Sequence, residues 1–255
     1  MTRVAVAGGT GMVGTKLVAA LRERGHDVVV LSRSSGVDLV AGTGLAEAIA
    51  DVEVIVDVTS TVSTKARDCA AFFGSVAGNL QRAAADHGVG LVVTLSIVGI
   101  DGLDGGGPYG HYVGKLVQEK AVAAGSVPNV ILRATQFHEF AGQMIDWTAK
   151  AGLLPCPRQP SQTVALDTVV EHLVRAAEGP RLDGVTTLNL AGPEKRMLAD
   201  LIRATAKARG QRLAVIPVWL PGDTPRRVRN GALQAPADAI IDGPTFDEWL
   251  TATVA

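Results

Sequence analysis

The stretch Arg3-Val4-Ala5-Val6-Ala7-Gly8-Gly9-Thr10-Gly11-Met12-Val13-Gly14 carries three signals in succession. Arg3–Ala7 is a short apolar run without alternation, the pattern of a strand buried on both faces. Gly8, Gly11 and Gly14 follow at G-x-x-G-x-x-G spacing. From Val13 the apolar residues Val13, Leu17, Val18 and Leu21 fall on one helical stripe, which Gly25 ends. Strand, glycine loop and helix together predict a dinucleotide-binding turn. One glycine turns the chain, one lets main chain approach a pyrophosphate, and one lets the helix pack on the strand. The helix N-terminus offers N–H groups and a positive dipole to the phosphates. The contacts expected here are Gly8, Thr10, Gly11, Met12, Val13 and Gly14.

Beyond that turn the chain keeps alternating. Strands are expected at 27–32, 52–58, 91–98 and 130–134, and helices at 45–50, 67–87, 111–124 and 137–150. A glycine loop fills 102–108. Alternating β and α with short connections predicts an α/β, Rossmann-type, doubly wound parallel sheet with helices on both faces. The last third is less regular. Strands are expected at 163–166, 186–190 and 214–218, and helices at 168–177 (capped by Asp167), 197–208 and 246–253. Pro217 and Pro221 place the strand at 214–218 at an edge or strand end. The expected organisation is a dinucleotide-binding core over 1–150 and a smaller substrate lobe over 151–255, packed on the same sheet as one unit.

Composition removes other classes. The 255 residues are 47% hydrophobic and 19% charged, the opposite of a disordered chain. Net charge is −1 and aromatics are only 4%, so neither nucleic acid nor an acidic membrane is an expected partner. The basic cluster Arg226, Arg227 and Arg229 reads as a solvated loop. Cys69 and Cys156 lie far apart with no CxxC, which fits free thiols in a reducing cytoplasm and no structural zinc. No apolar run approaches the length of a membrane span, and no secretory leader is read at the start. HExxH, Cys/His clusters, paired carboxylates and GxSxG are all missing, so no metal is expected and a hydrolase is not. The expected partner is a small-molecule substrate; a homo-oligomer is left open.

The second strand runs into Leu31-Ser32-Arg33-Ser34. A carboxylate at this place binds the ribose hydroxyls of NAD and repels a 2′-phosphate. Here the nearest is Asp38, whereas Ser32, Arg33 and Ser34 suit a phosphate. NADP(H) is therefore expected over NAD(H).

Two further segments, Thr94-Leu95-Ser96-Ile97-Val98-Gly99 and Leu132-Arg133-Ala134-Thr135-Gln136-Phe137-His138, add to the glycine turn. With the closing Thr245-Phe246-Asp247-Glu248-Trp249-Leu250 they make the chain resemble, over nearly its whole length, the atypical short-chain dehydrogenase/reductases of the NAD(P)H-binding, NmrA-like branch. The resemblance implies that Val58, Thr59 and Ser60 pass the adenosine ribose and pyrophosphate. It implies that Leu95, Ser96 and Ile97 sit beside the nicotinamide ribose and substrate. Ala134, Thr135, Gln136 and Phe137 would frame the nicotinamide and substrate; His138, at the head of the next helix, either lines the pocket or serves in capping or packing. It is less specific for reaction, because the branch mixes reductases, epimerases and sensors.

Such reductases carry a Tyr four residues before a Lys on one helix. The Lys holds the nicotinamide ribose and lowers the Tyr pKa, and the phenol donates a proton as hydride arrives. Here Lys115 matches the lysine, but the position four before it is His111, with Tyr112 three before. At about 100° per residue, His111 lies roughly 40° to one side of Lys115 and Tyr112 roughly 60° to the other. Three readings stay open: His111 replaces the Tyr, Tyr112 serves from the next register, or no residue donates. Ser96 matches the family's catalytic hydroxyl, and Glu119 reads as an ion-pair partner of Lys115. The expected function is an NADPH-dependent reductase of a small carbonyl or quinone-like substrate. The alternatives are an NADP(H)-binding regulatory or sensor protein without turnover, and a non-redox cyclase, epimerase or dehydratase.

Overall fold

Among the described residues the central sheet has seven strands, ordered across it as 240–241, 185–191, 129–134, 91–97, 54–57, 3–7 and 27–31. The structure, a computed structural model, describes residues 1–105, 107–180 and 183–254. Gly106 of the glycine loop expected at 102–108 lies outside them. In chain order the elements are β1 (Arg3–Ala7), α1 (Met12–Glu23), β2 (Asp27–Leu31), α2 (Leu45–Ala48), β3 (Val54–Asp57), α3 (Ala66–Asp86), β4 (Leu91–Ile97), α4 (Gly110–Ala123) and β5 (Asn129–Ala134). There follow α5 (Phe140–Thr148), β6 (Leu153–Pro157), β7 (Pro160–Ser161), α6 (Leu166–Glu178), β8 (Val185–Ala191), β9 (Arg196–Met197), α7 (Leu198–Ala208), β10 (Ala214–Val218), α8 (Asp223–Arg229), β11 (Ile240–Ile241) and α9 (Phe246–Val254). The α/β, Rossmann-like class read from the alternation is the one observed.

The chain divides into two compact units. One comprises Met1–Ser96, Pro108–Arg133 and Val170–Leu188. Its strands pair in parallel, Val4 opposite Val28 and Val54, and Val54 opposite Leu91. All of β3 and nearly all of β1 and β4 are buried, as continuous apolar runs require when both faces are covered. Leu31, Ile49, Ile55, Leu80 and Val92 form one core cluster here. Helices α3 and α4 lie against each other so closely that a methyl on Gly114 would sit 2.5 Å from the Phe73 ring and 2.8 Å from Cys69 Cβ.

The other unit comprises Ile97–Gly107, Ala134–Val169 and Asn189–Ala255. Ile145, Leu154, Leu201, Ile202 and Phe246 form its core. Besides the short strands β7, β9 and β11, which the sequence reading lacks, three features differ from it. The strand expected at 163–166 is a single bridge between Phe137 and Val164; α6 already starts at Leu166, with Asp167 inside its first turn. Strand β6 was hidden by Pro155 and Pro157, which are tolerated because β6 belongs to a two-stranded parallel sheet with β10, where each strand keeps an open edge. The supposed loop of Arg226, Arg227 and Arg229 is helix α8; Asp223 accepts hydrogen bonds from Arg226 and Arg227, pinning the arginines to their own helix.

Candidate functional site

The glycine loop takes the shape its spacing predicts. Gly8 has φ +81°, and a Cβ there would lie 3.0 Å from the main chain of Thr59 and from Val58 O. A Cβ on Gly14 would lie 2.1 Å from Gly8 O, so only glycine lets α1 start this close to β1. The Gly11 N–H donates to Gly8 O at 3.0 Å and closes the turn. Gly11 is the N-cap of α1, and the first turn of the helix carries no acidic side chain. The positive end of α1 is thus not neutralised by its own sequence. Thr10, Gly11 and Met12 are exposed over it, while Val13 and Gly14 are buried beneath. Such a cradle fits a pyrophosphate.

Close packing of Gly8 on Thr59 brings together two segments that the sequence named separately. Val58 and Thr59 are buried at the end of β3, and Ser60 is exposed. At the end of β2, Ser32 caps a 3-10 turn over Arg33–Ser35, its hydroxyl 2.8 Å from that of Ser34. Arg33 is exposed. The carboxylate of Asp38 accepts from the N–H groups of Val40 and Ala41, which hold its pKa below the usual carboxylate range. Its Oδ1 is thus committed to its own loop.

Around Lys115 a buried polar network appears. Asp57 and Thr94 are opposite each other in the parallel register of β3 and β4, so their side chains share a sheet face, and Ser96 lies two residues farther on that face. Asp57 accepts from the main-chain N–H and the hydroxyl of Thr59 at 2.9 and 2.7 Å, and from Gln118 Nε2 at 2.7 Å. Gln118 belongs to α4, so this is the face α4 covers. The Lys115 ammonium is 4% exposed and donates to Leu95 O (2.9 Å), Gln118 Oε1 (2.9 Å) and Thr59 O (3.3 Å). It stands 4.5 Å from the centre of the Phe73 ring. Burial lowers its pKa to about 8 against the opposing pull of Asp57 and Glu119. Ser96 Oγ is buried and, among the described residues, has no hydrogen-bond partner. That orphaned hydroxyl and the ammonium suit the ribose half of a dinucleotide. A ribose hydroxyl would most easily replace the longest of the three lysine contacts, the one to Thr59 O.

The helix positions in dispute now have surroundings. His111 packs edge-on against Phe73 at 5.2 Å, and burial followed by the Lys115 charge lowers its pKa to about 4. The ring is therefore neutral at pH 7, and a neutral imidazole is a much weaker acid than an imidazolium. Tyr112 is half-buried and stacks on Tyr109 at 5.7 Å. Glu119 is not the partner of Lys115 that its spacing suggested. Its carboxylate takes Arg133 of β5, with Arg133 Nε at 2.9 Å, because the Lys115 ammonium is filled by nearer oxygens. Asp57, Phe73 and Gln118 were not foreseen. Their signals were present: Asp57 is the one charge in the run Val54–Val58, and Gln118 sits three residues after Lys115 on the same helix face.

The remaining candidates belong to the other unit. Ala134 and Thr135 are buried, and Ile97, Gln136 and Phe137 are half-buried. Gln136 Oε1 accepts from Gln159 Nε2 at 2.8 Å and from Ser161 Oγ at 3.1 Å, which fixes how its amide is turned. His138 is 1% exposed, between Phe246 and Trp249. Its Nε2 donates to Pro244 O at 3.2 Å, so Nδ1 accepts from the Thr163 hydroxyl at 2.7 Å. Both ring nitrogens are thereby used in packing, the alternative to a pocket role. Cys69 and Cys156 are buried free thiols, and among the described residues no cluster of ligands is placed to hold a metal. No described helix is long and apolar enough to cross a membrane.

Residues 4–103 match the NAD dependent epimerase/dehydratase family. The epimerase/dehydratase match runs from β1 through the loop after β4, and so includes the glycine cradle, Asp57, Thr59 and Ser96. No curated protein matches the chain. Among solved structures, the Bordetella bronchiseptica enzyme WbmH in complex with NAD+ is similar at a TM-score of 0.75 and 16% identity, over 99% of this chain and 97% of that one. UDP-N-acetylglucosamine 4-epimerase from Bacillus cereus gives a TM-score of 0.71 and 16% identity, over 99% and 95%. A short-chain dehydrogenase/reductase superfamily protein from Agrobacterium tumefaciens with bound NAD gives 0.70 and 21%, over 99% and 96%. At these identities the likeness is one of fold.

Proposed function

We propose that this chain is an NADPH-dependent reductase of a small carbonyl or quinone-like substrate. The observation that carries the reading is the Gly8–Gly14 cradle at the bare positive end of α1. A bound dinucleotide supplies the hydride. The main chain of Gly8 to Gly14 holds its pyrophosphate, and Ser32, Arg33 and Ser34 take the 2′-phosphate. Lys115 orients the ribose through its ammonium, and the Ser96 hydroxyl, which has no partner among the described residues, donates to the substrate oxygen. Gln159 and Ser161 hold the Gln136 Oε1, so the Gln136 amide is fixed in orientation. Since His111 is neutral, the reading favours acceptors whose reduced form is a stabilised anion that solvent protonates, as with quinones. The narrower likeness to the NmrA-like branch is part of this proposal.

A second reading has its own support. The tyrosine position is His111, packed on Phe73, and the Lys115 ammonium already has three protein acceptors. Both features suit a protein that binds NADP(H) without turnover. NADPH absorbance followed over a panel of quinones, ketones and enones separates the two. Steady consumption is expected for the reductase. Tight NADPH binding with no consumption across the panel favours the sensor, and product formed without net NADPH loss favours a non-redox enzyme.

A further inference from the structure

We propose that Gln118 is a positioning residue for Lys115: its amide, clamped between the Lys115 ammonium and the Asp57 carboxylate, aims the ammonium and keeps two buried opposite charges apart. The inference deepens the dinucleotide reading above and rests on it for its functional meaning.

The geometry leaves the amide no choice of orientation. Gln118 is 0% exposed, with Oε1 2.9 Å from Lys115 Nζ and Nε2 2.7 Å from Asp57 Oδ2. An ammonium has only donors and a carboxylate only acceptors. Turning the amide over would set N–H against N–H and oxygen against oxygen. Asp57 cannot swing to meet the lysine directly, because its other oxygen is held by the N–H and hydroxyl of Thr59. The clamp therefore ties the end of β3 to α4 and presses the ammonium toward Leu95 O, next to Ser96. The charged and titratable groups facing Lys115 are Asp57 from β3 and Glu119 and His111 from α4. Glu119 is already paired with Arg133. A direct Lys115–Asp57 ion pair would hold the proton to high pH. With a neutral amide between them, the lysine stays lowered to about 8, within reach of titration.

The test measures the Kd of NADPH against pH for the full chain, with a parallel NMR titration of the lysine ε-carbons. In the unmodified protein, affinity falls as pH rises through the Lys115 midpoint. Gln118→Glu sets a carboxylate beside the ammonium and shifts that fall upward by about one pH unit or more. Gln118→Met removes the acceptor, shifts the fall downward and weakens binding at pH 7 about tenfold. Folded variants that keep both the Kd and its pH profile overturn the proposal. Where either variant fails to fold, the unmodified protein decides: the Gln118 side-chain amide resonances must move with the Lys115 midpoint, and amide signals indifferent to it overturn the clamp. Failure of the unmodified chain to bind NADPH or NADH at any pH sinks the dinucleotide reading instead, while the amide titration still reports on the clamp.

Discussion

At the scale of single residues, Gly11 offers the cleanest separation of fold from function. Its backbone is extended (φ −81°, ψ 179°), it is exposed, and it occupies the N-cap of α1, where Asp is a preferred residue. A Cβ there would lie 3.3 Å from Gly8 O, a tight contact that offsets the capping gain, so Gly11→Asp is expected to change thermal stability little while placing a negative charge where the pyrophosphate would sit. NADPH affinity should drop about a hundredfold or more, given like charges a few ångströms apart near a protein surface. Calorimetric binding beside a melting curve checks both halves. Arg33→Asp should turn preference from NADPH toward NADH, read as the ratio of the two Kd values; an unchanged ratio removes Arg33 from the phosphate pocket. The shape of the glycine turn was legible because its cause is local: a glycine triplet between a strand and a helix needs no tertiary knowledge. Gln118 and Asp57 were not, because their meaning comes from a contact across 61 positions of chain.

At the scale of elements, the meeting of α3 and α4 sets where Lys115 stands. Gly114 is the point of closest approach, with Phe73 and Cys69 filling the space a side chain would take. Gly114→Ala should overpack this seam and destabilise by about 1–3 kcal/mol in urea unfolding. It should also weaken NADPH binding, because α4 carries Lys115 with it. The helices with long apolar stripes and the strands buried on both faces were read to within a few residues, α3 at 66–86 against 67–87 expected. Strand β6 contains two prolines, and its pairing with β10 overrides their local preference. Helix α8 was missed although its three arginines favour helix and Pro225 lies in its first turn, because it is only seven residues long.

At the scale of the whole molecule, buried neutral histidine makes stability depend on pH. The His111 pKa is about 4 in the folded chain and 6.5 ordinarily. Above 6.5 neither state is protonated at this site and the group has no effect. As pH falls from 6.5 toward 4 the unfolded chain takes up a proton that the folded chain refuses, so stability declines, by roughly 3 kcal/mol at most. His138, lowered for the same reason of burial, acts in the same direction. Urea unfolding at pH 7 and pH 5 should show a loss in the unmodified protein that exceeds the loss in His111→Leu by about 2 kcal/mol. An equal loss in both would mean the ring is solvated.

The order of the strands bears on how the chain is made. The neighbours β2, β1, β3, β4 and β5 are all encoded before residue 135, whereas β8 and β11 follow some fifty and a hundred positions later. A ribosome thus delivers the glycine cradle, Asp57, Ser96 and Lys115 in one early instalment, and the two remaining strands dock onto an existing edge. Premature termination late in the message would then cost the protein its closing strands, but leave the strands that carry the glycine cradle already written.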